Sequence, residues 1–320
     1  MFKIRTPLIS DLKKLLQLNS SSINLKTLNT QSASNQLFYT IQNFIPPNLR
    51  FLPSIHIAVE GENILGFVIL KCSSKPNNCW QIDEVFVLDE NRNSGIGEEL
   101  VRYVLSVYGS HGIEHFLAEV DSENFPALSL FHQCGFRRYA KVYLYEREIN
   151  PKELESIKQL DKDFLIRPQI NNDLNEILKV ELSSIPPDLR PALGHSKDYF
   201  KQKKNGIVLI DKSRDLIVGW GNIETFENNN HFIELITNQG WTHLYEPFLN
   251  TLISNINFNN NPQKIKVKAI DYITDLTEIL TKSGFLQSEV KELLVRTIWQ
   301  KAKERKTKSA KFAVPRIAPT

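Results

Sequence analysis

Arg92-Asn93-Ser94-Gly95-Ile96-Gly97 joins two unlike patterns. Before it, Val85-Phe86-Val87-Leu88 is a short apolar run that reads as a strand, and after it Leu100, Val101, Val104 and Leu105 recur at helical spacing. At a strand-to-helix junction the first N–H groups of the helix lack internal partners, and the helix dipole adds partial positive charge, so such a turn favours a phosphate. Glycines at 95 and 97 let the backbone approach an anion with no β-carbon in the way, and Arg92 can pair with one. The stretch lacks the Gly-Lys-Ser/Thr ending of a triphosphate loop and one glycine of the dinucleotide fingerprint, which disfavours both ligands. Two readings remain for the motif by itself: a pyrophosphate cradle, or a tight turn.

Upstream of the cradle, Ile55 to Val59, the turn Gly61-Glu62-Asn63 and Ile64 to Lys71 read as a hairpin, followed by a strand from about Gln81 to Leu88. Downstream, a helix from Gly95 to about Gly109 leads to a strand, Glu114 to Val120. A helix from Asn124 to Cys134 follows, then Gly135-Phe136 and a closing strand, Val142 to Arg147. The second half repeats this order. Phe2-Lys3-Ile4-Arg5 and Phe164-Leu165-Ile166-Arg167 open the two halves, each followed at the same offset by Asp-Leu, at 11–12 and 173–174. Strands Ile207 to Ile210, Leu216 to Glu224 and His231 to Thr237 come next, then a helix from Trp241 to about Asn255. Lys264 to Ala269, Ile273 to Ser283, Gly284-Phe285 and Glu292 to Ile298 complete the copy. The expected organisation is a domain at 1–150, a linker at 151–163, a second copy at 164–300 and a basic tail at 301–320.

The length of 320 residues suits two units, each large enough to bury its own core, and 41% hydrophobic with 23% charged residues is the composition of a folded globular protein. The charged N-terminus, Met1-Phe2-Lys3-Ile4-Arg5, does not read as a signal peptide. With no long apolar run in the sequence, a cytoplasmic location and no membrane partner are expected. Cys72, Cys79 and Cys134 lack metal-ligand spacing and read as free thiols, so no metal is expected. The net charge of +3 is concentrated in the tail, where Lys301, Lys303, Arg305, Lys306, Lys308, Lys311 and Arg316 face Glu304. That tail reads as a solvated end, with RNA or another polyanion as the lesser alternative.

Three motifs in order, Asp83-Glu84-Val85-Phe86-Val87, Arg92-x-x-Gly95-x-Gly97 and Glu123-Asn124-x-x-Ala127-x-x-Leu130-Phe131-x-x-x-Gly135-Phe136, resemble the Gcn5-related N-acetyltransferase (GNAT) family over about residues 2 to 148. The resemblance implies an α/β (α+β) fold of two tandem GNAT-like domains, each a mixed, mostly antiparallel sheet flanked by helices. It implies acetyl-CoA as acyl donor and direct attack of a primary amine, on a small molecule, peptide or protein, without a covalent enzyme intermediate. Backbone groups of Phe86, Val87 and Leu88 would face the pantetheine arm, and N–H groups of Arg92, Asn93, Ser94, Gly95, Ile96 and Gly97 the pyrophosphate. Asn124, Ala127 and Phe131 would line the cofactor from the following helix, although Asn124 also reads as a helix N-cap.

Asp83 and Glu84 hold the position where a strand carboxylate accepts or orients the amine. Strand alternation sends them to opposite faces, so one of them, with Asp83 favoured, would point inward. Family members usually carry a tyrosine where this chain has Phe131, which has no proton to give the leaving thiolate. Tyr143, Tyr145, His132, Cys134 or water would have to supply it, and a non-catalytic CoA-binding or RNA- or protein-interaction role is the alternative. In the second half the matching turn, Thr237-Asn238-Gln239-Gly240-Trp241, keeps one glycine and places an indole at the helix start, so a structural role is expected there. The loop Ser183 to His195 could supply a wall of the substrate cleft, and the internal duplication is compatible with a monomer or a homodimer.

Overall fold

The computed structural model describes residues 2–18, 45–46, 53–74, 79–156, 160–226, 230–258 and 261–298. The basic tail and most of the long loop from Ser20 to Ser54 lie outside them. The first half runs β1 (Lys3–Arg5), α1 (Ile9–Leu18), β2 (Ser54–Glu60), β3 (Asn63–Ser74), β4 (Cys79–Val87), α2 (Ile96–Ser110), β5 (His115–Asp121), α3 (Phe125–Gln133) and β6 (Arg137–Ile149). The second repeats it: β7 (Phe164–Pro168), α4 (Leu174–Ser184), short helices α5 (Arg190–Leu193) and α6 (Lys197–Gln202), β8 (Gly206–Asp211), β9 (Leu216–Phe226), β10 (Asn230–Thr237), α7 (Tyr245–Ser254), β11 (Gln263–Ile270), α8 (Thr274–Lys282) and β12 (Leu286–Thr297).

The twelve strands among the described residues form one sheet in the order β1-β2-β3-β4-β5-β12-β6-β11-β10-β9-β8-β7. Strands pair antiparallel except β4 with β5 and β10 with β11, where a helix makes the crossover that parallel neighbours require. The order reads the same from both edges if each half's strands are numbered from one to six, so the halves are related by a pseudo-two-fold between β12 and β6. Each half's sixth strand lies in the other's sheet: β12 pairs with β5 from Lys291–Asp121 to Thr297–His115, and β6 pairs with β11 from Gln263–Ile149 to Ile270–Val142.

The cores follow that exchange. Leu294 of β12 is buried with Trp80, Leu100, Val104, Phe116 and Phe136 beneath α2 and α3, whereas Tyr145 and Ile149 of β6 are buried with Phe248, Leu252 and Val267 beneath α7 and α8. Helix α2 turns Leu100, Val101, Val104, Leu105 and Tyr108 onto the sheet, each contributing on the order of 1.5–3 kcal/mol of apolar burial. On the opposite face, Leu15 of α1 packs with Ile57, Phe67 and Ile69. Residues 1–150 and 164–300 therefore do not each enclose a core of their own, because a closing strand crosses in each direction. A sequence pattern fixes which face of a strand is apolar and leaves its neighbour open, which is why the exchange differs from the expectation. No helix among the described residues is long and apolar enough to cross a membrane.

Candidate active site

Strands β4 and β5 pair from Cys79–His115 to Ile82–Ala118 and then part, leaving Asp83 to Val87 joined only to β3. Leu88 N donates to Leu65 O at 2.9 Å, so Leu88 belongs to the bonded register with β3. By antiparallel alternation Phe86 does too, and the backbone groups of Val85 and Val87 turn toward the opening. Of the three residues expected to face a pantetheine arm, only Val87 presents its backbone there. Leu88 commits its amide to β3, and the Phe86 ring stacks on Phe67 at 5.1 Å on the α1 face.

The opening ends at the turn before α2. A single 3-10 turn, Asp89–Asn91, leads into Arg92, Asn93 and Ser94, all exposed. Asn93 and Gly95 both have left-handed backbone, φ 60° and φ 82°. Gly95 is the N-cap of α2 and supplies no side-chain cap; the intrahelical ladder starts with Glu99 N donating to Gly95 O at 3.0 Å. The first-turn amides of α2, from Ile96 to Glu98, therefore point out of the helix end with no cap across them, an arrangement suited to an anion. Arg92 is 2.7 Å from Asp89 Oδ1 at an exposed site, where a competing anion can draw it away.

Gly97 has a different duty from the one expected. It is buried, and an added β-carbon would lie 2.7 Å from Leu130 Cδ1 and 3.6 Å from Val87 Cγ2. Its missing side chain brings α2 close to α3 and β4, and Gly95, with open space around its α-carbon, is the glycine at the cradle's mouth. Asn124 caps α3 by accepting from Ala127 N at 3.1 Å. Ala127 packs against the α2 core, and Phe131 is buried within it, edge-on to Phe136 at 5.0 Å.

A β-bulge changes the reading of the two acids. The β3–β4 register passes from Ile69–Glu84 to Leu70–Ile82 and leaves Asp83 without an opposite residue of its own. Ile82 and Val85 both pack toward α2, so both residues between them are displaced to the α1 face. Asp83 and Glu84 thus lie on one face, where strict alternation would have separated them. Lys71 Nζ sits 2.5 Å from Asp83 Oδ1. Glu84 is half-buried beside it.

Tyr143 and Tyr145 are not brought to this opening. They lie on β6, which β12 separates from β5, and they face the core beneath α7. Burial pushes the Tyr143 hydroxyl above its ordinary value. His132 Nδ1 is 3.1 Å from Phe136 O, and burial pushes the Cys134 thiol up to about 11. Cys79 donates to Ala192 O at 3.2 Å, an inter-half contact that sequence reasoning missed, and burial pushes its thiol up to about 12. That contact belongs to α5, within the loop expected to form a wall: α5 packs on β3 and β5 of the first half.

In the second half β10 and β11 also part, after Ile233–Val267. The turn at their mouth is closed by its own groups: Gly240 N donates to Asn238 Oδ1, Trp241 N to Asn238 O, and Thr237 N to Tyr245 Oη. Trp241 leaves the helical region at φ −126°, ψ 27°, with the Arg214 guanidinium 5.2 Å from its ring. The volume of about 680 Å³ at the other end of this half, lined by Asn205, Ile223, His231, Asn255 and Gln263, borders no cradle residue, and its His231 is engaged by Thr225 and Gln263.

Residues 23–136 match the Acetyltransferase (GNAT) family. Across 91 residues the chain is 26% identical to N-alpha-acetyltransferase 30 of Schizosaccharomyces pombe, a match covering 28% of this chain and 61% of that relative's length. Over nearly its full length the fold resembles a GCN5-related N-acetyltransferase from Sphaerobacter thermophilus, with a TM-score of 0.59 at 11% identity, covering 92% of this chain and 95% of that one. It equally resembles a tandem GNAT protein from the clavulanic acid biosynthesis pathway, with a TM-score of 0.59 at 10% identity, covering 93% and 98%. The cradle thus lies within the stretch that matches the GNAT acetyltransferase family, and the fold of the chain as a whole resembles that of a tandem GNAT protein.

Proposed function

We propose that the first half transfers an acetyl group from acetyl-CoA to a primary amine. The observation that carries this reading is the continuity of the β4–β5 opening with the uncapped N-terminus of α2. A diphosphate at that helix end leaves the rest of the cofactor an extended path along the free edge of β4 past Val87 and Val85. Asn124, whose carbonyl oxygen caps α3, keeps its amide N–H groups for the same ligand. The acyl carbon would then lie near the point where the strands part, beside Asp83 and Glu84.

An ammonium arriving there gives a proton to the Asp83–Glu84 pair, directly or through water. The neutral nitrogen attacks the thioester carbonyl, the C–N bond forms, and the C–S bond breaks with its electron pair going to sulfur. With Phe131 unable to donate and both tyrosines of β6 in the other core, the proton that the nitrogen sheds on becoming an amide passes through water to the thiolate.

Isothermal titration with acetyl-CoA tests the reading. Ser94→Glu places a negative charge on the exposed turn facing the phosphates, and affinity falls at least tenfold while the melting temperature is unchanged. No heat of binding in the wild type, or equal affinity in both proteins, removes the assignment. Phe131 supports a second reading, a protein that binds CoA without catalysis. Retained affinity with no acetylation across pooled amines and peptides selects it.

A further inference from the structure

The last β4–β5 pair is Ile82 with Ala118, so Asp83 and Glu119 are the first residues on the two diverging arms. Phe116, Ala118 and Val120 pack toward α2, whereas Leu117 packs on the other face with Ala192 and Leu293, so Glu119 shares the Leu117 face. Asp83 shares it as well, since its partner Lys71 alternates with Leu70 and Cys72, which pack toward α2. An acid therefore stands on each arm at the mouth of the opening. The Glu119 carboxylate is held by the second half: Lys268 Nζ of β11 donates to Glu119 Oε1 at 2.7 Å, reaching past β6 and β12. Lys264 and Lys266, from the same face of β11, turn to Glu146.

We infer that Glu119 is a third carboxylate of the acceptor mouth and that Lys268 is its positioning residue, so that the second half completes the first half's site. The inference rests on the acetyltransferase reading. Electrostatics supply the reason. The charged groups on this face of β3, β4, β5 and β12 are Lys71, Asp83, Glu84, Glu119, Asp121, Glu289 and Lys291, and Lys291 is engaged by Glu289 at 3.4 Å. Three acids around one opening repel one another. Lys71 offsets that repulsion on the β4 arm and Lys268 on the β5 arm. Both ion pairs are half-buried, with side-chain exposures of 46% and 16% for Lys71–Asp83 and 38% and 26% for Lys268–Glu119, which reduces screening relative to open surface. Removing the Lys268 charge leaves Glu119 free to swing from the mouth.

The test uses the full chain with acetyl-CoA and two acceptor probes, a short peptide with a free α-amino group and spermidine. Lys268→Gln and Glu119→Gln each lower kcat for the acetylated probe about tenfold or more, and the double variant is no slower than either single one. Lys268→Arg restores at least half the rate, and acetyl-CoA affinity is the same throughout. A purely structural lysine would give additive losses and a fall in melting temperature that arginine does not repair in kcat alone. An active wild type matched in kcat by a folded Glu119→Gln overturns the inference and leaves the acetyltransferase reading standing. A wild type that binds acetyl-CoA and acetylates neither probe removes that reading, and the role of Lys268 falls with it.

Discussion

Arg5 with Asp11 and Arg167 with Asp173 form the same two-armed ion pair, once in each half. The two N···O distances are 2.6 and 3.2 Å in the first and 2.7 and 2.8 Å in the second. Each aspartate also accepts a backbone amide, from Leu8 at 2.7 Å and Ile170 at 2.8 Å, and so ties the edge strand to the helix that follows. The repeated Ile-Arg and Asp-Leu offsets were legible in the sequence; the bond between them was not, because an offset gives no side-chain geometry. The Arg167 guanidinium holds the Asp173 carboxyl below its ordinary range against the opposing effect of burial. At Asp11 burial works upward, and Arg5 with the Leu8 amide outweighs it. A depressed carboxylate contributes stability in full above its unfolded value of about 4 and loses it as pH falls through the folded value. Asp173→Asn is therefore expected to cost about 2 kcal/mol at pH 7 and to flatten the loss of stability below about pH 4. Urea unfolding followed across pH measures both, and an unchanged acid slope would show the pair to be idle.

At the scale of elements, the glycines of the cradle divide their work. Gly95 serves the turn through its left-handed backbone, and Gly97 serves the contact between α2 and α3. A motif records residue types, so both look alike in sequence, and only the approach of Leu130 separates them. Gly97→Leu should wedge α2 from α3 and lower stability by about 1–3 kcal/mol, with cofactor affinity falling as a consequence of the displaced turn. Gly97→Ala needs only the end of the Leu130 side chain to move and should be much milder. Thermal melts of the two variants decide, and equal melting points would contradict the packing role. The bulge at Asp83 escaped the sequence reading for a related reason. Strand type and approximate limits follow from apolar spacing, but one residue inserted without a partner reverses the face of everything beyond it, and Asp83-Glu84 carries no turn residue to announce it.

At the scale of the molecule, the exchanged closing strands make the linker less important than the sheet. Apart from the short helices α5 and α6, which fall where a loop was expected or no element was assigned, the order of helices and strands in both halves could be read from the sequence because local spacing determines it. The crossing of β6 and β12 could not, since a strand's pattern is satisfied by any neighbour offering the right face. β12 is bonded on both edges, to β5 through Lys291–Thr297 and to β6 through Leu286–Val295, and it places Leu294 in the first core and Leu293 with Val295 on the opposite face. A chain cut between the halves keeps every one of these contacts. A protease site placed at residues 157–159 should thus yield two fragments that remain one particle of the intact mass, 36.9 kDa, in native gel filtration and separate only in denaturant. Residues 1–156 expressed alone would present β5 and β6 as open edges toward the missing β12 and should associate through them or fail to stay dispersed. Supplying residues 160–320 in trans should restore the monodisperse particle, and with it any acetyl transfer that depends on Lys268. Cut halves that part in native buffer, each folded and monomeric, would mean that the two sheets close on themselves and that the exchange does not hold the molecule together.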